Sequence, residues 1–151
     1  MHSFRFRSAM FPIDPREDEE TNPFCYGKSL AQWLRGKLAE QGYTPEEVIP
    51  EDFGWCVMLS RGSGMLWVGC GNERSHLYEE VSSEAKATFV PDAQPVDWHV
   101  FVATDKPMWS LNFAKRRAAI QRLAEAATSL AVRVESILKA EPRIELQPDD
   151  A

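Results

Sequence analysis

Residues 53–70 have the sequence FGWCVMLSRGSGMLWVGC, in which two apolar runs are joined by a short polar link. The first run, 53–59, places Phe53, Trp55, Val57 and Leu59 on one face, since every second side chain of a β-strand points the same way. A second run, 65–70, follows a glycine-rich link, and this arrangement is typical of a β-hairpin. Because both faces carry apolar groups, we expect the hairpin to lie centrally in a sheet that is covered on both sides at least in part.

Further segments have the pattern of strands. Segment 2–10 alternates phenylalanine with arginine, so its apolar and basic side chains are expected on opposite faces. Segment 96–104 is rich in valine and aromatic residues, which favour strands. Weaker patterns predict a short strand at 88–90 and an edge strand at 144–146.

A first helix is expected at 29–41. Ser29 and Gln32 have the spacing of a capping box, and Gly42 can adopt the left-handed conformation that ends a helix. An apolar stripe with helical spacing runs between these ends. Its members are Leu30, Trp33, Leu34 and Leu38.

The rest of the chain adds a second helix and completes the fold prediction. Segment 44–47 repeats the signals of a helix start, but Pro50 allows only about one turn. Apolar residues at helical spacing predict a long helix at 112–139, which Pro142 ends. The whole chain, 1–151, is therefore expected to form one α+β domain. Its antiparallel sheet would have about five strands, with two main helices packed on one face.

Composition excludes several classes of protein. The chain has 151 residues, of which 44% are hydrophobic and 26% charged, and its net charge is −6. A chain of this size can bury a sufficient core without disulfides or a structural metal. The richest apolar region, 53–71, is interrupted by Arg61, so no membrane span is expected. The first residues lack the apolar stretch of a secretory signal, and we expect a cytoplasmic protein.

The three cysteines, Cys25, Cys56 and Cys70, are widely spaced and odd in number. We expect them to be reduced, buried thiols rather than a disulfide framework or nucleophiles. Cys56, Cys70, His76 and His99 contain no pair with the short spacing that structural zinc sites use. No metal and no cofactor is therefore predicted.

Two pairs of residues are candidates for acid–base catalysis. Asp97 and His99 share a strand face and could form an oriented base, although surface pairing explains them as well. Glu51 and Asp52 lie close to Trp55, which could lower the dielectric around a carboxylate pair. A solvated entry to the strand is the simpler interpretation. The alternative function is therefore a small hydrolase or transferase that uses Asp52 or His99 in a cleft beside the hairpin.

Charge is distributed unevenly along the chain. Segment 113–143 has seven basic and three acidic residues, a local charge of +4, so the remainder carries −10. Acidic residues cluster in a proline-rich segment at about 11–23, predicted to be a solvated loop, and in 40–52. Such clusters favour a basic protein partner and disfavour nucleic acid, although a merely solubilising surface has the same charge. The candidate partner-binding residues are Asp14, Glu17, Asp18, Glu19, Glu20, Glu46, Glu47, Glu51 and Asp52.

Nucleic acid binding by the long helix is a weaker alternative. It requires the four basic residues near the start of this helix to form one exposed stripe, and binding that weakens steeply with salt. These residues are Lys115, Arg116, Arg117 and Arg122.

Residues 30–34 (LAQWL), 50–55 (PEDFGW) and 67–71 (WVGCG) resemble a group of small bacterial proteins of unknown function. These share an LAxWL helix and an EDxGW hairpin, and the resemblance covers about 28–72. It implies no catalytic residue. Small acidic single-domain proteins of this kind also resemble immunity proteins, which neutralise bacterial toxins. We therefore expect a non-enzymatic binding protein whose acidic segments cover a basic surface, such as that of a toxin domain.

Overall fold

A computed structural model describes residues 1–73, 95–107 and 112–148. These residues form six strands and two α-helices. In chain order they are β1 (His2–Ser8), α1 (Lys28–Glu40), β2 (Ile49–Glu51), β3 (Gly54–Ser60), β4 (Met65–Asn72), β5 (Val96–Asp105), α2 (Phe113–Ala140) and β6 (Glu145–Leu146). The predicted strand at 88–90 lies outside the described residues, as do His76, Trp109 and the acidic residues 149–150.

The strands form one antiparallel sheet in the order β2-β3-β4-β5-β1-β6. The prediction of an α+β fold with an antiparallel sheet is therefore confirmed. The hairpin at 53–70 is confirmed as β3 and β4, and the edge strand at 144–146 as β6. The described residues contain six strands where about five were expected.

One face of the sheet carries the core. Phe6 faces Trp98 across β1 and β5, and Val68 lies between Val57 and Val102 on the neighbouring strands. All five are fully or almost fully buried against both helices. Burying a side chain of this size contributes about 1.5–3 kcal/mol. The helix residues in this core include Leu30, Leu34, Leu38, Leu130, Val134 and Leu138.

The start of α1 differs from the capping box expected at Ser29. The N-cap is Gly27, with φ 142°, and Ser29 lies inside the helix. The buried carboxylate of Glu17 accepts hydrogen bonds from the N–H groups of Gly27 and Lys28, at 3.2 and 3.3 Å. A carboxylate that is ten residues away therefore supplies the cap, which a local sequence pattern cannot indicate.

The expected helical turn at 44–47 is wrong. This segment contains no helical turn, and the N–H of Glu46 donates to the carbonyl of Met58 in β3 at 2.9 Å. The following residues form β2, which pairs with β3 at the edge of the sheet and contains Pro50. An edge strand tolerates proline because one side of its backbone has no strand partner.

The segment at 11–23 was expected to be solvated throughout, and this is wrong in part. Phe11 and Ile13 are buried in the core, and the ring of Phe11 contacts Trp33 and Trp98 edge-on. A 3-10 turn, Glu17–Glu19, follows. Apolar residues between the prolines therefore tie this segment to the domain.

The long helix has the expected position and a clear start. The side chain of Asn112 accepts a hydrogen bond from the N–H of Lys115 at 2.9 Å, so Asn112 is the N-cap of α2. Within the described part of the chain, neither helix has the length and apolar content that crossing a membrane requires.

Candidate functional site

The face of the sheet opposite the helices carries a cluster of three aromatic rings. The ring of Phe53 stacks on that of Trp67, with centroids 5.6 Å apart, and the ring of Phe101 lies edge-on to both, at 5.0 and 5.5 Å. All three side chains are half-buried. A Cβ atom at Gly69 would collide with the Phe101 ring, so this glycine leaves the space that the ring occupies.

Phe53 lies on this face because of the backbone at Gly54. The sequence pattern placed Phe53 on the same face as Trp55, which is buried in the core. Gly54 has φ 145°, a conformation that side chains rarely allow, and it follows the tight turn between β2 and β3. The alternation of side chains therefore begins only after Gly54, and the expectation for Phe53 is wrong.

A groove of about 310 Å³ begins beside this cluster, over β2, β3 and β4. Cys56 and Met58 form a buried part of its lining. The groove therefore has an apolar interior at the β2 edge of the sheet, where a partner could reach it. Its apolar lining consists of Ile49, Phe53, Cys56, Met58, Met65 and Trp67.

Charged groups surround the groove, and carboxylates outnumber cations among them. Glu51, Arg61 and Asp105 line it. The indole N–H of Trp67 donates to the Asp105 carboxylate at 3.2 Å, which fixes the ring and the carboxylate relative to each other. The guanidinium of Arg61 is bound by Glu46, at 2.7 Å. With Glu46 included, three carboxylates and one guanidinium leave the groove negatively charged.

The thiol at this site is not an activated nucleophile. Burial raises the pKa of Cys56 to about 12, with a smaller contribution from the negative charge of Glu51. A nucleophilic cysteine needs the opposite surroundings, which lower its pKa. Cys25 and Cys70 are buried as well and form no disulfide, and burial raises the pKa of Cys70. All three cysteines are therefore buried thiols, as expected.

Within the part of the chain that the structure describes, the candidates for acid–base catalysis do not contact a catalytic partner. Asp97 accepts hydrogen bonds from the Arg7 guanidinium, at 2.8 and 3.0 Å, rather than orienting His99. His99 packs against the ring of Phe101, and burial lowers its pKa. Asp52 is exposed in the turn before β3, and its carbonyl accepts from the Asn22 side chain. Among the described residues, no three histidine, cysteine or acidic side chains are grouped as a metal ion would need.

Two of the predicted partner-binding residues lie inside the protein. Glu17 is 5% exposed and holds the start of α1, and Asp18 is 3% exposed and accepts from the N–H of Phe24 at 2.9 Å. Neither carboxylate can meet a partner at the surface. Their positions in an acidic run did not reveal this, because the run is defined by charge and not by which side chains turn inward.

The remaining acidic residues of this segment are exposed but engaged within the chain. Glu19 pairs with Arg16 at 3.2 Å, and Glu20 pairs with Lys28 at 3.2 Å. Asp14 accepts from the N–H of Arg16 at 2.9 Å. Exposed ion pairs of this kind are weak, so a partner could replace them, but they reduce the free negative charge.

Four of the predicted residues lie at the β2 edge of the sheet, and one of them, Glu51, lines the groove. Glu46 pairs with Arg61 at 2.7 Å, and Glu47 pairs with Arg35 at 3.1 Å. The sequence thus indicated the acidic side of the groove but missed its interior. Phe53, Trp67 and Asp105 come from three separate segments, and only the strand register brings them together. The four residues are Glu46, Glu47, Glu51 and Asp52.

No protein-family model, no curated protein and no solved structure matches this chain. The groove must therefore be interpreted from its own residues.

Proposed function

We propose that this chain is a non-enzymatic binding domain that acts in the cytoplasm and docks a basic, partly apolar segment of another protein. The docking site is the groove with its acidic rim. Such a contact is of the kind by which an immunity protein covers a basic surface of a bacterial toxin. A hydrolase that uses Asp52 or His99 has less support, because the described residues join neither of them to a catalytic partner.

The observation that carries the proposal is the combination of apolar interior and acidic rim. Half-buried aromatic side chains such as Phe53 and Trp67 are typical anchors at protein interfaces. They offer contact area without a further change in the fold. Glu51 and Asp105 lie at the same groove, so a cation that accompanies an apolar side chain would find a carboxylate there.

The proposal can be tested with a short peptide that alternates arginine and phenylalanine. Titrated into ¹⁵N-labelled protein, the peptide should shift the indole signal of Trp67 and the amide signals of Met65 and Asp105. A counterpart in which glutamate replaces arginine should leave these signals unchanged. Glu51→Lys should weaken binding of the basic peptide about tenfold, which is the effect of about 1.4 kcal/mol.

A charge reversal outside the groove provides the control. Glu125 is exposed on α2 and is not part of the groove lining, so Glu125→Lys changes the net charge equally. It should leave the affinity close to that of the wild type. Equal binding of the acidic and basic peptides, or equal weakening by both substitutions, would contradict the proposal.

A further inference from the structure

The beginning of α2 presents an aromatic side chain to solvent. Phe113 is 76% exposed, and residues 113–118 are exposed throughout. The cap at Asn112 holds this end in helical conformation, since its side chain accepts from the N–H of Lys115. Phe113 is therefore displayed on an ordered helix end.

Basic residues cluster at the same end of the helix, and two of them, Arg116 and Arg117, flank this phenylalanine. Lys115, Arg116 and Arg117 are exposed and are not ion-paired to any described residue. The Arg117 guanidinium lies 5.0 Å from the centre of the Phe113 ring. No acidic residue occurs between Phe113 and Ala124. The helix end therefore combines an apolar anchor with positive charge that no described acidic residue pairs.

We infer that Phe113 and the basic residues beside it dock into the groove of a second copy of this chain. This inference rests on the proposed function, since it names an occupant with the chemistry that the groove selects. Phe113 would enter beside Trp67, and Arg116 and Arg117 would meet Glu51 and Asp105. Opposite charges and apolar groups are thus matched on both sides of the contact.

The placement of the cations favours a compact acidic site over a nucleic acid. At about 3.6 residues per turn, Arg116 and Arg117 flank Phe113, whereas Lys115 and Arg122 lie near the opposite side of the helix. The four residues are exposed but do not form the single stripe that the nucleic acid alternative required. The negative charge of the remaining chain also repels a polyanion.

The contact joins different surfaces of the two copies. Each copy therefore keeps one unused helix end or one unused groove unless the arrangement closes. This property allows a complementation test. A copy that lacks the helix end and a copy that lacks the groove should each be unable to self-associate, but together they retain one intact contact.

The experiment is sedimentation velocity of the full chain over a range from low micromolar to millimolar concentration. The wild type should self-associate more at low than at high salt. Phe113→Asp and the double variant Glu51→Lys/Asp105→Lys should each sediment as monomers. Their equimolar mixture should form a one-to-one complex that goes no further. Val132→Asp removes another exposed apolar side chain of α2, and it should associate like the wild type.

Three results would overturn the inference. They are a wild type that stays monomeric at every concentration, a mixture that does not associate, and a loss of association in Val132→Asp equal to that in Phe113→Asp. A monomeric wild type that binds a labelled DNA duplex through Arg116 and Arg117 would assign the helix end to nucleic acid instead.

The peptide titration separates the two proposals. If the groove variant loses the basic peptide while the wild type is monomeric, only the second copy is excluded. If the groove variant binds the peptide as tightly as the wild type does, the proposed function fails.

Discussion

Glu17 shows how one buried side chain couples the fold to pH. Its carboxylate sits at the start of α1, where hydrogen bonds from Gly27 and Lys28 favour the charged form. Burial outweighs them and raises its pKa from 4.5 to about 7. The folded protein therefore binds this proton more tightly than the unfolded chain does, and stability falls as the pH rises from 4.5 to 7.

We predict that Glu17→Gln removes this pH dependence, because glutamine does not ionise. The wild type should lose up to about 3 kcal/mol of unfolding free energy between about pH 4.5 and pH 8, measured by urea denaturation. The variant should change much less over the same range. Glu19→Gln alters an exposed neighbour and should retain the wild-type slope. A wild-type stability that rises across this range would refute the assignment.

Two glycines form a matched pair for substitution by alanine, because only one of them has room for an added Cβ atom. A Cβ at Gly69 would enter the ring of Phe101, whereas one at Gly36 in α1 would have no atom within 4 Å. We predict that Gly69→Ala destabilises the protein by about 1–3 kcal/mol through overpacking. Gly36→Ala should stabilise it by about 0.5–1 kcal/mol, since alanine favours a helix. Thermal unfolding measures both, and equal effects would show that Phe101 does not occupy the space above Gly69.

The first turns of the two helices are capped by different groups, so they respond to different substitutions. The α2 start uses its own Asn112, whereas Ser29 lies beyond the true start of α1. We predict that Asn112→Ala costs about 1 kcal/mol of unfolding free energy and that Ser29→Ala costs clearly less. Chemical denaturation followed by circular dichroism measures both. A larger loss in Ser29→Ala would restore the capping box that the sequence indicated.

Elements that follow from local periodicity were predictable, and elements that depend on distant partners were not. The apolar alternation of β3, β4 and β5 and the stripes of both helices follow from spacing alone. β2 has no such signal, because it is three residues long, contains Pro50 and is defined by its pairing with β3. The true cap of α1 was missed for the same reason, since Glu17 lies outside the helix.

The charge pattern of the sequence located one side of the candidate site but not its aromatic interior. In the acidic segment 46–52, Glu51 lines the groove and Glu46 pairs with Arg61 of its lining. The run at 14–20, in contrast, has two carboxylates inside the protein and others in ion pairs. The aromatic interior required the register of β4 against β5, which places Trp67 and Phe101 near each other. Linear charge patterns cannot distinguish a docking rim from a surface already neutralised by its neighbours.

The acidic segments 46–52 and 14–20 are expected to affect the association rate of the basic peptide differently. The association rate of the basic peptide should fall as salt rises from about 0.05 to about 0.5 M, because added salt screens the attraction between exposed charges, which at 0.1 M extends only about 10 Å. Glu51→Lys should lower the rate at low salt and flatten its salt dependence. Reversing Glu19 and Glu20 to lysine should change it much less, since these carboxylates already face Arg16 and Lys28. Stopped-flow measurements with a fluorescent peptide decide between the segments: a stronger effect of the Glu19/Glu20 reversal would move the docking surface from the groove to the 14–20 segment.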